Sequence, residues 1–499
     1  MATSPNVAFI RYELSVLLPL YYLIRDCLSG EPTIKAAKTK YLPMPSTSGD
    51  TKEDAKRYES YIGRAVFYNV TRHTLGGLLG QVFMRDPVIK VGPDLEPVVE
   101  NATGTGVSLV QEAKRAVGYV LSYARAGVFV DFPNTGGVLT QADINEGKGN
   151  PTINVASPFN IINWRVKPDG SRDQISLIVM AESYQLFDDG FEIKNALQFR
   201  VMYLDNEGFF VQEVWREPTT ASVWDGRTMP KNKVFQRVET ETTRPTDKAG
   251  NRFKEIPFWF IGTENNDPNP DQPNMYDLSS INVAHYRNSA DYEESCFIMG
   301  QPTVAMTGLT EEWVKKVLGG VIAFGARGGI PLPAGADAKV LQAGENTMIK
   351  EAMETKERQM VALGAKLVEQ KEVQRTAFET KVDTTASSSI LASSTKNVST
   401  AFTNALKWAT KFTGGNPDAI EFKLNTDFDI AAMTPEERNQ AVNEWQKGAI
   451  TWEEMRTALR RGGSATEDDA KAKTEIAADQ AAQLALDAQF NTPTGAPGA

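Results

Sequence analysis

The chain has 499 residues, 41% hydrophobic and 23% charged, with 53 Lys+Arg against 63 Asp+Glu and a formal net charge of −10. That is enough apolar chain for a substantial core, on the order of two to four domains' worth. Two cysteines exclude a disulfide-rich scaffold, two histidines exclude a histidine-rich metal site, and a pI near 5.1 argues against a sequence-reading DNA binder with a basic face.

Residues 1–30 read as a helix kinked at Pro19. Its apolar run, Leu14 to Ile24, falls short of the roughly 20 residues a bilayer demands, and it lacks a basic leader and an Ala-x-Ala site. Neither a membrane span nor an export signal is expected. Pro32, Pro43, Pro45 and a Ser/Thr/Gly cluster predict a loop over 31–50. Residues 51–84 read as helical, Pro87 stops them, and a short strand is expected at Val88–Val91. Gly104-Thr105-Gly106-Val107-Ser108 then opens a helix from Leu109 to Ala124. The glycine pair invites a phosphate-loop reading, but a Rossmann loop needs a third glycine and a Walker loop needs Gly-Lys-Ser/Thr. Ser108 with Gln111 is a capping box, which accounts for the motif without a ligand. A strand is expected from Gly127 toward Pro133.

Residues 150–262 are rich in Val, Ile, Phe, Trp and Tyr, with turns at Asp169-Gly170, Asp189-Gly190 and Asn206-Glu207-Gly208. They predict an antiparallel meander that the stretch Lys254–Gly262 ends. A Pro/Asn/Asp linker, Asn265 to Asn274, leads to a helix from Leu278 to Met299. Residues 301–342 hold a short helix capped by Thr310 and a Gly/Pro-rich stretch. A second long helix, from about Asn346 to Thr380, carries mixed charges and an apolar stripe of Ile349, Met353, Met360, Leu363 and Leu367. Residues 384–413 put Leu391, Val398, Phe402, Ala405, Ala409 and Phe412 on one helical face. The other faces are small and polar, suited to tight packing on several sides or to lining a wet cavity. Ile420–Leu424 reads as a strand. Capping boxes at Thr434 and Thr451 start two short helices that end at Gly462-Gly463, followed by a loose Ala-rich helix and a disordered tip.

Catalytic chemistry is not legible. No Gly-x-Ser-x-Gly elbow occurs. His285 reads as a packing histidine, His73 as a helix-surface residue, and Cys27 and Cys296 as small core residues. The adjacent acids of Glu293-Glu294 and Glu453-Glu454 diverge around a helix. No catalytic residue, cofactor or metal is expected, and the chain is read as non-enzymatic.

Three stretches carry a resemblance. The first is Tyr61 through Arg64, Phe67 and Asn69, followed by Leu75-Gly76-Gly77-Leu78 and Arg85-Asp86-Pro87. The second is Gly106 to Leu109 with the later Ala126-Gly127 to Asp131-Phe132-Pro133. The third is Asp277-Leu278, Asn282, His285-Tyr286 and Ser289 to Asp291. With the late segment Lys447 to Arg456, they make the chain resemble the portal proteins of tailed double-stranded DNA bacteriophages.

That resemblance implies an α+β portal fold and a homo-oligomeric ring of about twelve subunits at one capsid vertex. Residues 1–275 map to the wing, with N-terminal helices and the β-rich region. Residues 276–300 map to the first stem helix and 301–342 to the clip. Residues 343–382 map to the second stem helix and the start of the tunnel loop. Residues 383–429 complete that loop and add the long wing helix and a wing strand, and residues 430–499 form the crown and a flexible tail. The implied partners are the large terminase subunit, head-tail adaptors, the major capsid and scaffold proteins, and double-stranded DNA passing non-specifically, with no membrane. The implied location is the virion, after assembly in the host cytoplasm. Lys371, Arg375 and Lys381 are the candidates to brush DNA in the channel, and Trp313, Val314, Val317 and Leu318 to contact partners at the clip. A net acidic chain suits a channel through which DNA slides, since Lys and Arg contacts to phosphate bind strongly whatever the sequence. The alternatives are an α/β enzyme with a phosphate-ligand site near Gly104–Ser108 and Asp131, and another virion structural protein.

Overall fold

The computed structural model describes residues 6–45, 49–131, 149–170, 172–218, 221–226, 229, 233–300, 303–317, 332–341, 347–366, 390–426, 428, 435–461, 465 and 469–490. The chain divides into a unit of residues 1–426 and a unit of residues 427–499. It mixes helices with antiparallel sheet, an α+β fold.

In the first unit the helices are α1 (Tyr12–Ser29), α2 (Glu31–Ala36), α3 (Thr51–Arg64), α4 (Val70–Val82), α5 (Glu96–Glu100), α6 (Leu109–Tyr123), α7 (Tyr276–Gly300), α8 (Glu311–Val317), α9 (Thr347–Lys366) and α10 (Ile390–Thr413). The strands are β1 (Val88–Lys90), β2 (Arg125–Asp131), β3 (Thr152–Ala156), β4 (Ile161–Asp169), β5 (Arg172–Asp188), β6 (Ile193–Leu204), β7 (Phe210–Arg216), β8 (Gln236–Arg237), β9 (Phe258–Gly262), β10 (Thr303–Thr307), β11 (Asp337–Leu341) and β12 (Glu421–Lys423).

The expected meander is present as a five-stranded antiparallel sheet in the order β4-β5-β6-β7-β8. Its turns use the Asp and Gly residues read from the sequence. At one of them Asp188 and Asp189 accept backbone N–H groups of Gly190, Phe191 and Glu192. One sheet face buries Ile162, Val179, Ala181, Leu197, Phe199 and Val201, with Val7, Ala8 and Ile10 of the N-terminal arm packed on it. The opposite face of β5 and β6 carries an ion-pair chain, in which Arg200 holds both Glu182 and Asp131.

The stretch ending at Gly262 does not close that meander. β9 pairs with β2 instead, in a separate three-stranded sheet of order β3-β2-β9, covered by α6 and α10. The alternation of apolar residues identifies a strand but carries no record of its partner. Gly127 at the middle of β2 is fixed by packing, because a Cβ there would stand 2.9 Å from Ile161 Cδ1 and collide with the Phe258 ring.

Two further expectations need correction. The loop over 31–50 is helical in its first part, because Pro32 occupies the first turn of α2, where a missing N–H costs nothing, and a 3-10 turn follows at Lys38–Lys40. The continuous helix over 51–84 is two helices, broken between Ala65 and Asn69. The Asn69 side chain accepts the Arg72 N–H and so restarts the helix as its cap. By contrast, the Ser108–Gln111 capping box is present in both directions, and Pro19 lies inside α1 as read.

In the second unit the helices are α11 (Pro435–Gln446), α12 (Trp452–Arg461) and α13 (Asp469–Phe490). The Thr451 capping box is formed, with Glu454 Oε2 accepting the Thr451 N–H at 2.7 Å and Thr451 Oγ1 accepting the Glu454 N–H at 3.2 Å. Arg460 bonds Asp469 at the start of α13, at 2.8 Å.

Candidate functional site

The helix pair α7 and α9 brackets the insertion of residues 301–342. At 25 residues, α7 is about 37 Å long. Its buried residues are Leu278, Ser279, Asn282, Val283, His285, Tyr286, Ser289 and Ala290, and none lies beyond Ala290. Beyond it the helix is only partly covered, with Phe297 and Ile298 45% and 54% exposed.

The root of α7 is held by a polar clamp. Its opposing wall is the break between α3 and α4, whose backbone lacks helix partners of its own. Asn282 Nδ2 donates to the Tyr68 carbonyl at 2.7 Å, and its Oδ1 accepts both the Thr71 N–H (3.2 Å) and the Thr71 hydroxyl (3.0 Å). Ser289 Oγ accepts the Val66 N–H at 3.1 Å and lies 2.7 Å from the Val66 carbonyl. Tyr61 donates its hydroxyl to Asp291 at 2.6 Å, and burial together with this bond raises its pKa. Arg64 pairs with Glu294 and stacks over Phe297, 4.2 Å from the ring centroid. Glu294 therefore has a specific partner, which the reading of Glu293-Glu294 as a divergent pair on a helix did not supply. The first and third stretches that carry the family resemblance thus meet in one place, although 200 residues of chain and two sheets separate them.

Replacing Asn282 by alanine leaves the buried Thr71 N–H and hydroxyl without an acceptor. It is expected to destabilise the first unit by about 2 kcal/mol. A lowered urea midpoint at unchanged m-value checks this.

α9 lies along α7. Glu357 is acceptor-only as a carboxylate, so the 3.1 Å contact to His285 requires the proton on Nε2. His285 is buried, as read, but only its Nε2 has a partner while Nδ1 has none among the described residues, and His73 is exposed on α4. Cys27 is buried, but Cys296 is exposed on the projecting part of α7, which corrects its reading as a core residue. Met360 is fully buried, while Ile349, Met353 and Leu363 are half-buried. Leu367 and the expected extension of this helix to Thr380 lie outside the described residues.

Between the two helices, β10 and β11 pair antiparallel from Thr303↔Leu341 to Thr307↔Asp337, with α8 in the connection. Thr310 Oγ1 accepts the Trp313 N–H at 3.4 Å, the expected cap. Trp313 and Val314 are half-buried on α8, Val317 is its last residue, and Leu318 lies outside the described residues. So do Lys371, Arg375 and Lys381. The segment that carries them starts at α9, where Gly364 packs against Thr74 (a Cβ there would stand 3.2 Å from Thr74 Cγ2), and returns at α10.

Several small polar residues of α10 stitch it to neighbouring strand ends. Ser393 Oγ donates to the Thr263 carbonyl at 2.8 Å, and Asn397 Nδ2 donates to the Gly262 carbonyl at 3.0 Å. Ser399 and Thr403 accept the backbone N–H groups of Leu424 and Phe422. Of the two packing modes that its composition suited, this is the tight one.

Three backbone donors of the Gly104–Ser108 loop are already engaged. Asn101 accepts the Gly106 N–H at 2.8 Å, Thr103 accepts the Thr105 N–H at 3.4 Å, and Gln111 accepts the Ser108 N–H at 2.9 Å. Asp131, the acid named with it, is tied up by Arg200. The buried carboxylate Glu112 has its pKa raised by desolvation, but it accepts the Val155 N–H and pairs with Arg115, a structural arrangement. Among the described residues no cluster of His, Cys, Asp or Glu could hold a metal ion, and no helix is long and apolar enough to cross a membrane.

A family model described as Domain of unknown function (DUF4055) matches residues 274–413, which span α7, the insertion, α9 and α10. Among solved structures, a chain from the neck of an empty GTA particle, computed with C6 symmetry, has a TM-score of 0.40 and 12% identity, covering 79% of this chain and 90% of that one. A chain from the neck of a native GTA particle, computed with C12 symmetry, has a TM-score of 0.39 and 13% identity, covering 78% and 89%. Likenesses of this strength assign no function. No curated protein matches the chain.

Proposed function

We propose that this chain is a portal protein of a phage-like particle, a ring of about twelve subunits that conducts double-stranded DNA at one capsid vertex. In this reading α7 and α9 are the stem helices, residues 301–342 are the clip that meets terminase and later the head-tail adaptors, and residues 430–499 are the crown. The major capsid and scaffold proteins surround the ring in the virion.

The observation that carries the reading is the clamped root and free end of α7. A helix held by buried side chains and polar bonds along its root, and only partly covered beyond Ala290, with Phe297 and Ile298 exposed toward its tip, is built to present that end outward. Met348 and Val361 of α9 are also exposed, at 75% and 69%. Copies of the same pair packed side by side around a circle would cover these residues. Negative-stain electron microscopy and native mass are the test. Rings with a central hole are expected, and a homogeneous monomer or dimer at every salt and protein concentration would count against the proposal.

The channel cations give a second measurement. With Lys371, Arg375 and Lys381 all changed to glutamine, the ring is expected to bind double-stranded DNA more weakly at low salt. The slope of log K against log salt should flatten by about 0.9 for each phosphate that is no longer neutralised. An unchanged slope would remove these residues from the channel.

A further inference from the structure

Beside the N-terminal arm lies an open cavity of about 530 Å³, lined among others by Arg11, Asn163, Trp164, Arg165, Asp173 and Asn269. Its wall is more cationic than its lining alone. Arg125, only 1% exposed, lies behind it, with its guanidinium 4.2 Å from the centroid of Trp164 and 4.3 Å from that of Phe260. Arg125 Nη1 donates to the Pro268 carbonyl at 2.8 Å, while Nε and Nη2 have no partner among the described residues. Among those residues no carboxylate forms an ion pair with it, and burial lowers its pKa to about 10. The indole N–H of Trp164 is likewise buried without an acceptor.

Arg11 stacks on Trp164 at 4.6 Å, donates to the Trp164 carbonyl at 2.6 Å and pairs with Glu13 at 2.8 Å. Arg165 is exposed at the cavity and makes no ion pair among the described residues. Two guanidinium groups, those of Arg11 and Arg125, thus lie over one tryptophan, and Arg165 lines the same cavity. Of the acids around them, Glu13 is engaged by Arg11 and Asp173 lines the cavity; Asp267 and Asp271 act on Arg125 through their fields.

We propose that this cavity binds a small oxyanion, a phosphate or a carboxylate, held by Arg165 and Arg11 with the Asn163 and Asn269 amides as neutral donors and Arg125 acting through its field. A charge largely withdrawn from water is poorly screened, so its field reaches the cavity through the Trp164 and Pro268 wall. Guanidinium forks match the paired oxygens of either anion. The proposal does not depend on the ring reading.

The experiment is isothermal titration of the full chain with sodium phosphate and, separately, sodium acetate, each against sodium chloride at matched ionic strength. Saturable binding beyond chloride is expected, with phosphate alone, acetate alone or both identifying the anion class. Arg165→Gln, at an exposed position that the fold does not need, and Arg125→Met, which removes the buried charge while keeping an apolar stem, should each weaken binding about tenfold or more. Lys315→Gln on α8 should leave it unchanged. Heats indistinguishable from chloride, or wild-type binding by Arg165→Gln, would overturn the proposal.

Discussion

Gly262→Ala is expected to destabilise the first unit by about 3 kcal/mol, the upper end of what overpacking a fixed site costs. Gly262 is the last residue of β9 and opens the linker that leads to α7. A Cβ there would collide with the Asn265 backbone carbonyl and stand 2.7 Å from Asp271 Oδ2. Neither neighbour can give way cheaply. Asp271 Oδ2 accepts the Thr263 N–H at 2.8 Å and the Glu264 N–H at 3.0 Å, so moving it breaks the turn that shapes the linker. The Gly262 carbonyl also receives Asn397 from α10. The loss should appear as a lowered midpoint in urea. Restoration of wild-type stability by a second change at Asp271 would show that the carboxylate, not the backbone, is the obstacle.

Phe402→Ala is expected to cost more, about 3–5 kcal/mol. Phe402 is fully buried at the centre of α10 and stacks on Phe422 of β12, with centroids 5.2 Å apart and rings 29° from parallel. Removing the ring leaves a cavity lined by groups that hydrogen bonds hold in place, since Thr403 is bonded to Phe422 and Ser399 to Leu424. Such a wall collapses poorly, and the cost follows the volume left open. Phe402→Leu should lose clearly less. Thermal unfolding of both variants beside the wild type checks the order.

What could be read from the residues depended on how local its cause was. The Ser108 and Thr451 capping boxes, the Asp-Gly turns of the meander and the cap at Thr310 each rest on side chains a few positions from the backbone they satisfy, and each is present. The clamp was legible only through some of the residues that carry the resemblance. Nothing in Asn282 or Ser289 announces that their partners lie at 66–71, because a polar residue on a helix reads the same whether it faces water or a broken backbone. The pairing of β9 with β2 and not with the meander was hidden for the same reason. Pro32 misled in the other direction: proline both ends helices and begins them, and here it begins one. The assignments of Lys371, Arg375 and Lys381 to a channel and of Trp313, Val314, Val317 and Leu318 to partner contacts still stand on the resemblance alone.

The clamp has a mechanical side. Its bonds to Val66, Tyr68 and Thr71 run opposite to the chain direction of α7, and those from Tyr61 and Arg64 reach further along its axis. They lie side by side along the helix and are not stacked at one end. A pull on the projecting tip of α7 therefore loads them in shear, all at once, and no single bond can be peeled before the next takes the strain. The helix should resist extraction along its own axis far better than it resists being levered sideways.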